Sequence, residues 1–442
     1  MRYDHIAELI GNTPLLRLDP ARHGLPNVEL FAKLESHNPF GSVKDRVAAA
    51  MLHDELPRLR AEGRTLIEAS SGNTAKSLRL LAAMEGIGVR AITNRIRVTE
   101  VRDLLRLLGT EIVELPGLSE CPDPTTPNDV YAVIESTLAA EPTAFHHLSQ
   151  YTNEKNIEAH RAGTGREIHD DLAASGIERV DYLVGGLGTT GSTRGAATFL
   201  RKSNPDLQTI GVVSARSDFI PGIRSETEMW DVGLFQPEFY DRIAAVESAD
   251  AIEATLTLAT THGVLAGPTS GAAYAATMRA LRAQDASERD PGDPVIAVFI
   301  VCDRLEPYLS YLRKRRPDLF GGPDRPAPPT DAELAAVPRI APAELERRDR
   351  DERLTIVDTR GAMAYRIGHV PGAVNIRDDQ LADMIAQGMP FPRSRPIVFV
   401  CPVGEIALRF AVLARRAGYD AASLDGGVIG WRDAGLPLER GG

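Results

Sequence analysis

The sequence predicts an α/β protein with mainly parallel sheets, arranged as one large and one small unit. Three observations carry that expectation. Over residues 1–320 short apolar runs alternate with segments of helical periodicity. The same alternation recurs on a smaller scale over residues 339–442. Between them, residues 321–338 hold five prolines and read as a linker, semi-rigid and extended in its Pro-rich part.

In the larger unit, strands are expected over Thr65–Ala69, Val89–Thr93, Glu111–Leu115, Asp181–Val184, Thr209–Val213 and Val295–Cys302. Helical patterns fall between them, around Lys44–His53, Thr74–Glu85, Thr99–Leu108, Ser192–Lys202 and Ser270–Gln284. In the smaller unit LTIVDTR and PIVFVC read as strands, and a helix is expected from about Gly404 to Ala417. No internal repeat is visible.

The chain has 442 residues, 43% hydrophobic and 25% charged, enough apolar mass for large cores. Fifty Lys and Arg against 61 Asp and Glu give a formal net charge of −11. That balance argues against nucleic acid or an anionic membrane as the main partner. The longest apolar run, Val295 to Cys302, falls far short of a membrane span. The opening MRYDHIAELIGNTP has no signal-peptide shape. Cys121, Cys302 and Cys401 cannot form a disulfide framework. A reducing cytoplasm, where a free thiol can do chemistry, is the expected setting.

Three loops carry chemistry. Gly186-Leu187-Gly188-Thr189-Thr190-Gly191 follows a strand and opens a helix. Its G-x-G-x-x-G spacing alone is a weak dinucleotide signal. A dinucleotide site also wants an acid about 20 residues on to hold a ribose, and the strand ending near Val213 is followed by Ser214-Ala215-Arg216. Small residues, hydroxyls and N–H groups at a helix N-terminus suit one phosphate group; the alternative is a tight structural turn. Ser70-Ser71-Gly72-Asn73-Thr74 also joins a strand to a helix. It suits a substrate carboxylate, or simply caps the helix. Asn38-Pro39-Phe40-Gly41-Ser42-Val43-Lys44 places a lysine at a helix start. Such a lysine is usually solvated, and becomes nucleophilic only if its pKa is lowered or it is locally activated.

Taken together, these segments resemble the pyridoxal-phosphate (PLP) enzymes of the cysteine synthase and cystathionine β-synthase group, fold type II, over about residues 5–315. The resemblance rests on IGNTPL from Ile10, Lys33-Leu34-Glu35, Gly41-Ser42-Val43-Lys44-Asp45-Arg46, SSGNT, GLGTTGS, and Gly267-Pro268-Thr269-Ser270-Gly271-Ala272. It implies two α/β subdomains, the mobile one inserted at about residues 40–145, and a homodimer. It implies that Lys44 binds PLP covalently and later moves the substrate's α-proton. Asn73 would meet the ring hydroxyl, and Gly188, Thr189, Thr190, Gly191 and Ser192 would cradle the phosphate. Thr269 would face the pyridine nitrogen as a neutral hydroxyl, which favours β-elimination and β-replacement. Ser70, Ser71, Gly72, Thr74 and Gln150 would hold the carboxylate of a small amino-acid substrate. No residue is assigned to a metal.

The sequence departs from the family where Ala75-Lys76-Ser77 replaces a Gly-Ile-Gly stretch. Lys76 is either solvent-facing or an added contact for an anionic substrate. Arg95 and Arg97 are either surface charges or cations at the site entrance.

From about residue 339 the sequence resembles a rhodanese domain, through Asp358-Thr359-Arg360, GHVPGA from Gly368, Asn375-Ile376, CPVGEIA from Cys401, Asp425-Gly426-Gly427 and Trp431. Cys401 lies between a strand and a helix, where loop N–H groups would stabilise a thiolate or persulfide. Glu405-Ile406-Ala407 stands where many such loops carry an arginine for thiosulfate, so a neutral or protein persulfide is the more favoured donor. Cys302 reads as inert core, Cys121 as a surface thiol, His369 as structural, and the Gly441-Gly442 tail as a frayed end rather than a sulfur-carrier terminus.

Joining a sulfur carrier to such an enzyme suggests that sulfur passes between them. The leading expectation is β-replacement on O-phosphoserine or O-acetylserine with sulfur relayed by Cys401, giving L-cysteine or a cysteine persulfide. The alternative is a cysteine or cystine lyase passing sulfane sulfur to Cys401. A 2,3-diaminopropionate synthase ranks third, because it leaves the rhodanese unit without a task. A sulfur-donor or sulfur-acceptor protein is the expected macromolecular partner.

Overall fold

A computed structural model describes residues 2–94, 96, 98–115, 129–216, 218–229, 232–283, 292–320, 328–351 and 354–441. Arg95, Arg97, Cys121 and Gly442 lie outside the described residues. The chain divides into two compact units, Met1–Arg315 and Arg316–Gly442.

The first unit holds two sheets. The larger has six strands: β1 (Leu15–Leu18), β2 (Val28–Leu34), β7 (Tyr182–Gly186), β8 (Gln208–Ser214), β9 (Arg242–Val246) and β10 (Val295–Val301), in spatial order β1-β2-β10-β7-β8-β9. All pairings are parallel except β1 with β2. The smaller has β3 (Thr65–Ala69), β4 (Val89–Thr93), β5 (Glu111–Glu114) and β6 (Phe145–His147), ordered β5-β4-β3-β6 and wholly parallel.

The apolar run of β10 explains its central place. Val295, Ala297, Phe299 and Val301 enter the core on one face of the sheet. Ile296, Val298, Ile300 and Cys302 enter the core on the other. A strand covered on both faces needs apolar side chains at every position.

The helices expected from periodicity are present with shifted ends. Lys44–His53 is unchanged, Thr74–Glu85 becomes Asn73–Ala83, Ser192–Lys202 becomes Gly191–Leu200, and Ser270–Gln284 becomes Pro268–Ala283. Pro268 opens its helix because the first turn needs no donor from it. Strands β1, β2, β6 and β9 have no counterpart in the sequence-based expectations.

The second unit is one five-stranded parallel sheet: β11 (Arg339–Ile340), β12 (Thr355–Asp358), β13 (Val374–Asn375), β14 (Ile397–Val400) and β15 (Ala421–Leu424), ordered β11-β15-β14-β12-β13. The expected linker is corrected in its latter part. Asp331–Ala336 is a helix, because Thr330 and Glu333 form a reciprocal capping box, and Val337 packs into the core of this unit.

Candidate active site

Parallel sheets place ligand sites beyond the carboxyl ends of their strands. One cavity of the first unit lies there, bordered by residues that follow β3, β4, β6, β7 and β10. It gathers Lys44, Ser70, Ser71, Gly72, Asn73, Thr74, Gln150, Gly188, Thr189, Thr190, Ser192 and Thr269. Gly191 stays behind the surface: a Cβ there would lie 2.0 Å from Asn156 Oδ1. Cys401 belongs to the second unit.

Lys44 is the first residue of its helix, and the preceding Val43 N–H donates to the Cys302 carbonyl at 2.8 Å. The lysine is thereby tied to the end of β10. Burial lowers its pKa, opposed by Cys302 and Asp303. Two residues on, the Arg46 guanidinium is clamped between two buried carboxylates. It donates to Glu35 at 2.7 and 2.9 Å and to Glu167 at 2.8 and 2.6 Å. Lys33 Nζ joins Glu167 at 2.9 Å and the Thr13 carbonyl at 2.6 Å. Breaking a buried ion set by removing one partner is strongly destabilising, so this network holds the base of the Lys44 helix in place.

The loop after β3 caps its own helix. Ser70 Oγ accepts from the N–H groups of Gly72 and Ala75 at 3.3 and 3.1 Å, a capping role. Gln150 is held by Thr74 Oγ1, which donates to its Oε1 at 2.7 Å, and by its own Nε2 donating to the Ala69 carbonyl at 2.7 Å. Its Nε2 retains a second hydrogen for a ligand. Buried Glu68 supports this loop, accepting from the N–H groups of Ser149 (3.0 Å) and Gln150 (3.3 Å). Ser149 has φ 59°, outside the usual range for a residue with a side chain.

The phosphate-type loop ends at Thr190, with φ 67°, and no side chain caps the Gly191 helix. Thr190 Oγ1 donates to the Leu234 carbonyl at 3.1 Å, and Thr189 Oγ1 accepts from Asn156 Nδ2 at 2.9 Å. A Cβ on Gly188 would lie 2.9 Å from the Gly222 carbonyl oxygen, so only glycine fits there. Uncapped N–H groups, hydroxyls and a strained residue define an anion cradle. Thr269 Oγ1 donates to the Pro221 carbonyl at 2.6 Å, a bond it must exchange to donate to a ring nitrogen. A buried amine, an anion cradle, an amide and a hydroxyl in one cavity fit PLP.

Residues that motif reading missed also line this cavity. Asp303 is buried, and its Oδ2 accepts from Asn73 Nδ2 at 2.7 Å and from the Tyr308 hydroxyl. Both expectations for Lys76 need correction. It is half-buried rather than solvent-facing and does not line the cavity; it lies within electrostatic reach of Asp45 and Asp303. Cys302 borders the cavity beside Lys44, and burial pushes its thiol up to about 12. It stays a neutral thiol, but not one remote from the chemistry.

In the second unit Cys401 follows β14 and is 1% exposed. Its Sγ receives the N–H groups of Gly404 at 3.1 Å and Ala407 at 3.4 Å, at the start of the helix Glu405–Arg416. Gly404 has φ 97°, which lets the chain turn back over the sulfur. A Cβ on Gly427 would lie 2.2 Å from the Cys401 carbonyl, which accounts for the second glycine of Asp425-Gly426-Gly427. Arg360 is occupied by Asp358 and the Gly368 carbonyl. His369 stacks on Tyr365 with ring centroids 3.7 Å apart, a packing role.

Fold and site together define a fold-type II PLP enzyme joined to a rhodanese-like unit. The family described as "Pyridoxal-phosphate dependent enzyme" matches residues 6–303, and "Rhodanese-like domain" matches residues 341–434. The chain is 32% identical over 308 residues to cysteine synthase B of Salmonella typhimurium, covering 69% of this chain and 94% of that protein. It is 29% identical over 323 residues to cystathionine beta-synthase of Saccharomyces cerevisiae, covering 69% of this chain and 62% of that protein. Similar solved structures include O-acetyl serine sulfhydrylase isoform 3 from Entamoeba histolytica (TM-score 0.59, 26% identity, 70% of this chain and 91% of that one). A hydrogen sulfide-producing enzyme from Fusobacterium nucleatum is also similar (TM-score 0.60, 26% identity, 70% and 100%). The chain belongs to the PLP-dependent enzymes of the cysteine synthase type and carries a rhodanese-like domain. Among the described residues no helix is long and apolar enough to cross a membrane.

Proposed function

We propose that the first unit catalyses β-replacement on an O-activated serine, O-phosphoserine or O-acetylserine. Sulfur is delivered through Cys401: a thiol reductant, itself oxidised to a disulfide, releases the Cys401 sulfane sulfur as hydrosulfide, which replaces the phosphate or acetate to give L-cysteine, and transfer of a further sulfane sulfur from Cys401 to that thiol gives a cysteine persulfide. The observation that carries this reading is the pairing of two sites in one chain. Lys44 shares its cavity with an anion cradle and a carboxylate-type loop, while Cys401 holds its sulfur beneath two backbone N–H groups.

Bound PLP supplies the electron sink for chemistry at the substrate's α- and β-carbons. Gly188, Thr189, Thr190, Gly191 and Ser192 anchor its phosphate through N–H groups and hydroxyls, Gly191 contributing only backbone. Asn73 and Thr269 orient the ring from its hydroxyl and nitrogen sides. Ser70, Ser71, Gly72, Thr74 and Gln150 grip the substrate carboxylate and so fix which α-substituent faces Lys44. The Lys44 amine, favoured as neutral by burial, takes the α-proton. Cys401 holds sulfane sulfur as a persulfide, with the Gly404 and Ala407 N–H groups stabilising its charge. The acting assembly in this reading is a homodimer in the cytoplasm.

The test is to add O-phosphoserine, O-acetylserine, cysteine or cystine to the purified holoenzyme and follow its absorption spectrum and products. A spectral change with an O-activated serine, followed by cysteine or its persulfide when Cys401 is sulfur-loaded and a thiol reductant is present, is expected. Turnover of cystine to pyruvate, ammonia and thiocysteine, whose outer sulfur then passes to the Cys401 thiol as a persulfide and leaves cysteine, overturns the reading and makes the chain a sulfur-mobilising lyase. The likeness to a hydrogen sulfide-producing enzyme is the observation that favours this second reading.

A further inference from the structure

Among the described residues lining the cavity, Asp303 is the only acid that is fully buried, at 4% exposure. It follows β10, and its surroundings come from four elements. From the Asn73 helix, Asn73 Nδ2 donates to Oδ2 at 2.7 Å, and Lys76 lies within electrostatic reach. From the turn after β10, the Tyr308 hydroxyl donates to the same oxygen. From the Lys44 helix come Lys44 itself and, beside Lys76, Asp45. From the strand end comes the neutral Cys302 thiol. Arg304, next in sequence, is turned to Glu306.

Asp303 Oδ1 is buried without any hydrogen-bond donor. It lies against Gly267, where a Cβ would approach to 2.1 Å. A carboxylate with one oxygen doubly served and the other bare is costly to bury unless a cation faces it. Lys76, within electrostatic reach of Asp303 and without an ion-pair partner among the described residues, is such a cation, and the Lys44 nitrogen lies within the same reach. Burial raises the Asp303 carboxyl above its ordinary range, while Tyr308, Lys76, Asn73 and Lys44 oppose that rise.

A carboxylate can only accept hydrogen bonds, so the nitrogen end of the Asn73 carboxamide must face it. The flip of that amide, usually ambiguous, is thereby specified. We propose that Asp303 is a positioning residue of the cofactor centre, locking the Asn73 carboxamide in one flip and supplying the counter-charge that keeps a proton on the Lys44 nitrogen when PLP is attached. The proposal rests on PLP attachment at Lys44 and is independent of which sulfur donor or leaving group is used.

The test is a pH titration of the visible absorption of the bound cofactor, without substrate, in the wild type, Asp303→Asn and Tyr308→Phe. Asp303→Asn keeps shape and hydrogen-bonding capacity but removes the charge. With less negative charge nearby, the nitrogen loses its proton more readily, so the band changes at lower pH. A fall of about one pH unit, tenfold in proton concentration, is expected. Tyr308→Phe, which leaves the carboxylate less supported, moves the midpoint the same way by less. A purely structural role lowers the thermal midpoint but leaves the spectral midpoint in place, and that result overturns the proposal. If Asp303→Asn does not retain PLP, Tyr308→Phe decides alone, an unshifted midpoint counting against the proposal.

Discussion

Cys302 and Cys401 each follow the last residue of an interior parallel strand, and they are 8% and 1% exposed. By position and burial they are near twins. Their sulfurs meet opposite surroundings. Cys302 lies beside the Asp303 carboxyl, and its thiol points toward the Ile300 carbonyl at 3.9 Å; burial and Asp303 outweigh the opposing Lys44 and Gly186 backbone N–H. Cys401 faces two backbone N–H groups at a helix N-terminus. Burial alone therefore does not mark a cysteine as inert or reactive; the sign of the charges and dipoles aimed at its sulfur does.

The largest expected effects separate the two centres. Lys44→Ala should abolish PLP-dependent turnover while leaving Cys401 able to take up sulfane sulfur. Cys401→Ser should abolish sulfur uptake while leaving turnover with free sulfide as nucleophile. Persulfide labelling and amino-acid analysis of both variants read this out, and loss of both functions in either variant would break the separation.

Alkylation comes next. A thiol pushed up to about 12 leaves about one part in 10⁵ as thiolate at pH 7. In a Cys121→Ser background, iodoacetamide should label Cys401 at least about a hundredfold faster than Cys302. Peptide mass spectrometry on a time course gives the ratio, and comparable rates would refute the contrast.

The units should also differ toward acid. His160 is held at about 3 by burial, against an ordinary 6.5, and Glu167 at about 2 despite burial, chiefly by Arg46. Both groups bind fewer protons folded than unfolded. The stability from His160 is complete above pH 6.5 and lost as pH falls from 6.5 toward 3, and that from Glu167 is lost between about 4.5 and 2. In scanning calorimetry the transition of the first unit should fall more steeply between pH 7 and 4 than that of the second. His160→Gln should flatten that slope, and an unchanged slope would remove histidine as its cause.

The smallest effect is expected at Gly404. Alanine there, at φ 97° and with Cβ 3.3 Å from the Leu424 carbonyl, costs about 1–2 kcal/mol. The second unit should melt several degrees lower, and Cys401 labelling should slow as the Gly404 N–H shifts. Wild-type labelling in this variant would show that the Gly404 bond is dispensable.

Much of the fold was legible because apolar runs and turn residues report local geometry. The six strands expected in the first unit all exist, displaced at their ends by no more than two residues. Strand β2 was missed for a physical reason. VELFAKL carries Glu29 and Lys33 within it, and Lys33 is tolerated inside the protein only because Glu167 and the Thr13 carbonyl meet its ammonium. No local pattern contains that partner. The helix Asp331–Ala336 was hidden differently, its capping box lying next to a Pro-rich stretch that dominated the composition.

The sequence by itself determined where the reactive groups sit along the chain: a lysine opening a helix, glycine and hydroxyl loops after strands, and a cysteine between strand and helix. These depend on neighbours in sequence, because a helix N-terminus presents its free N–H groups whatever else surrounds it. Only the tertiary structure decided how those groups are charged. Lys44, the pair Asn73 and Lys76, and the group Cys302, Asp303 and Tyr308 come from three stretches far apart in the chain. The electrostatics of a buried group depend on distance through a low-dielectric interior rather than on separation along the chain.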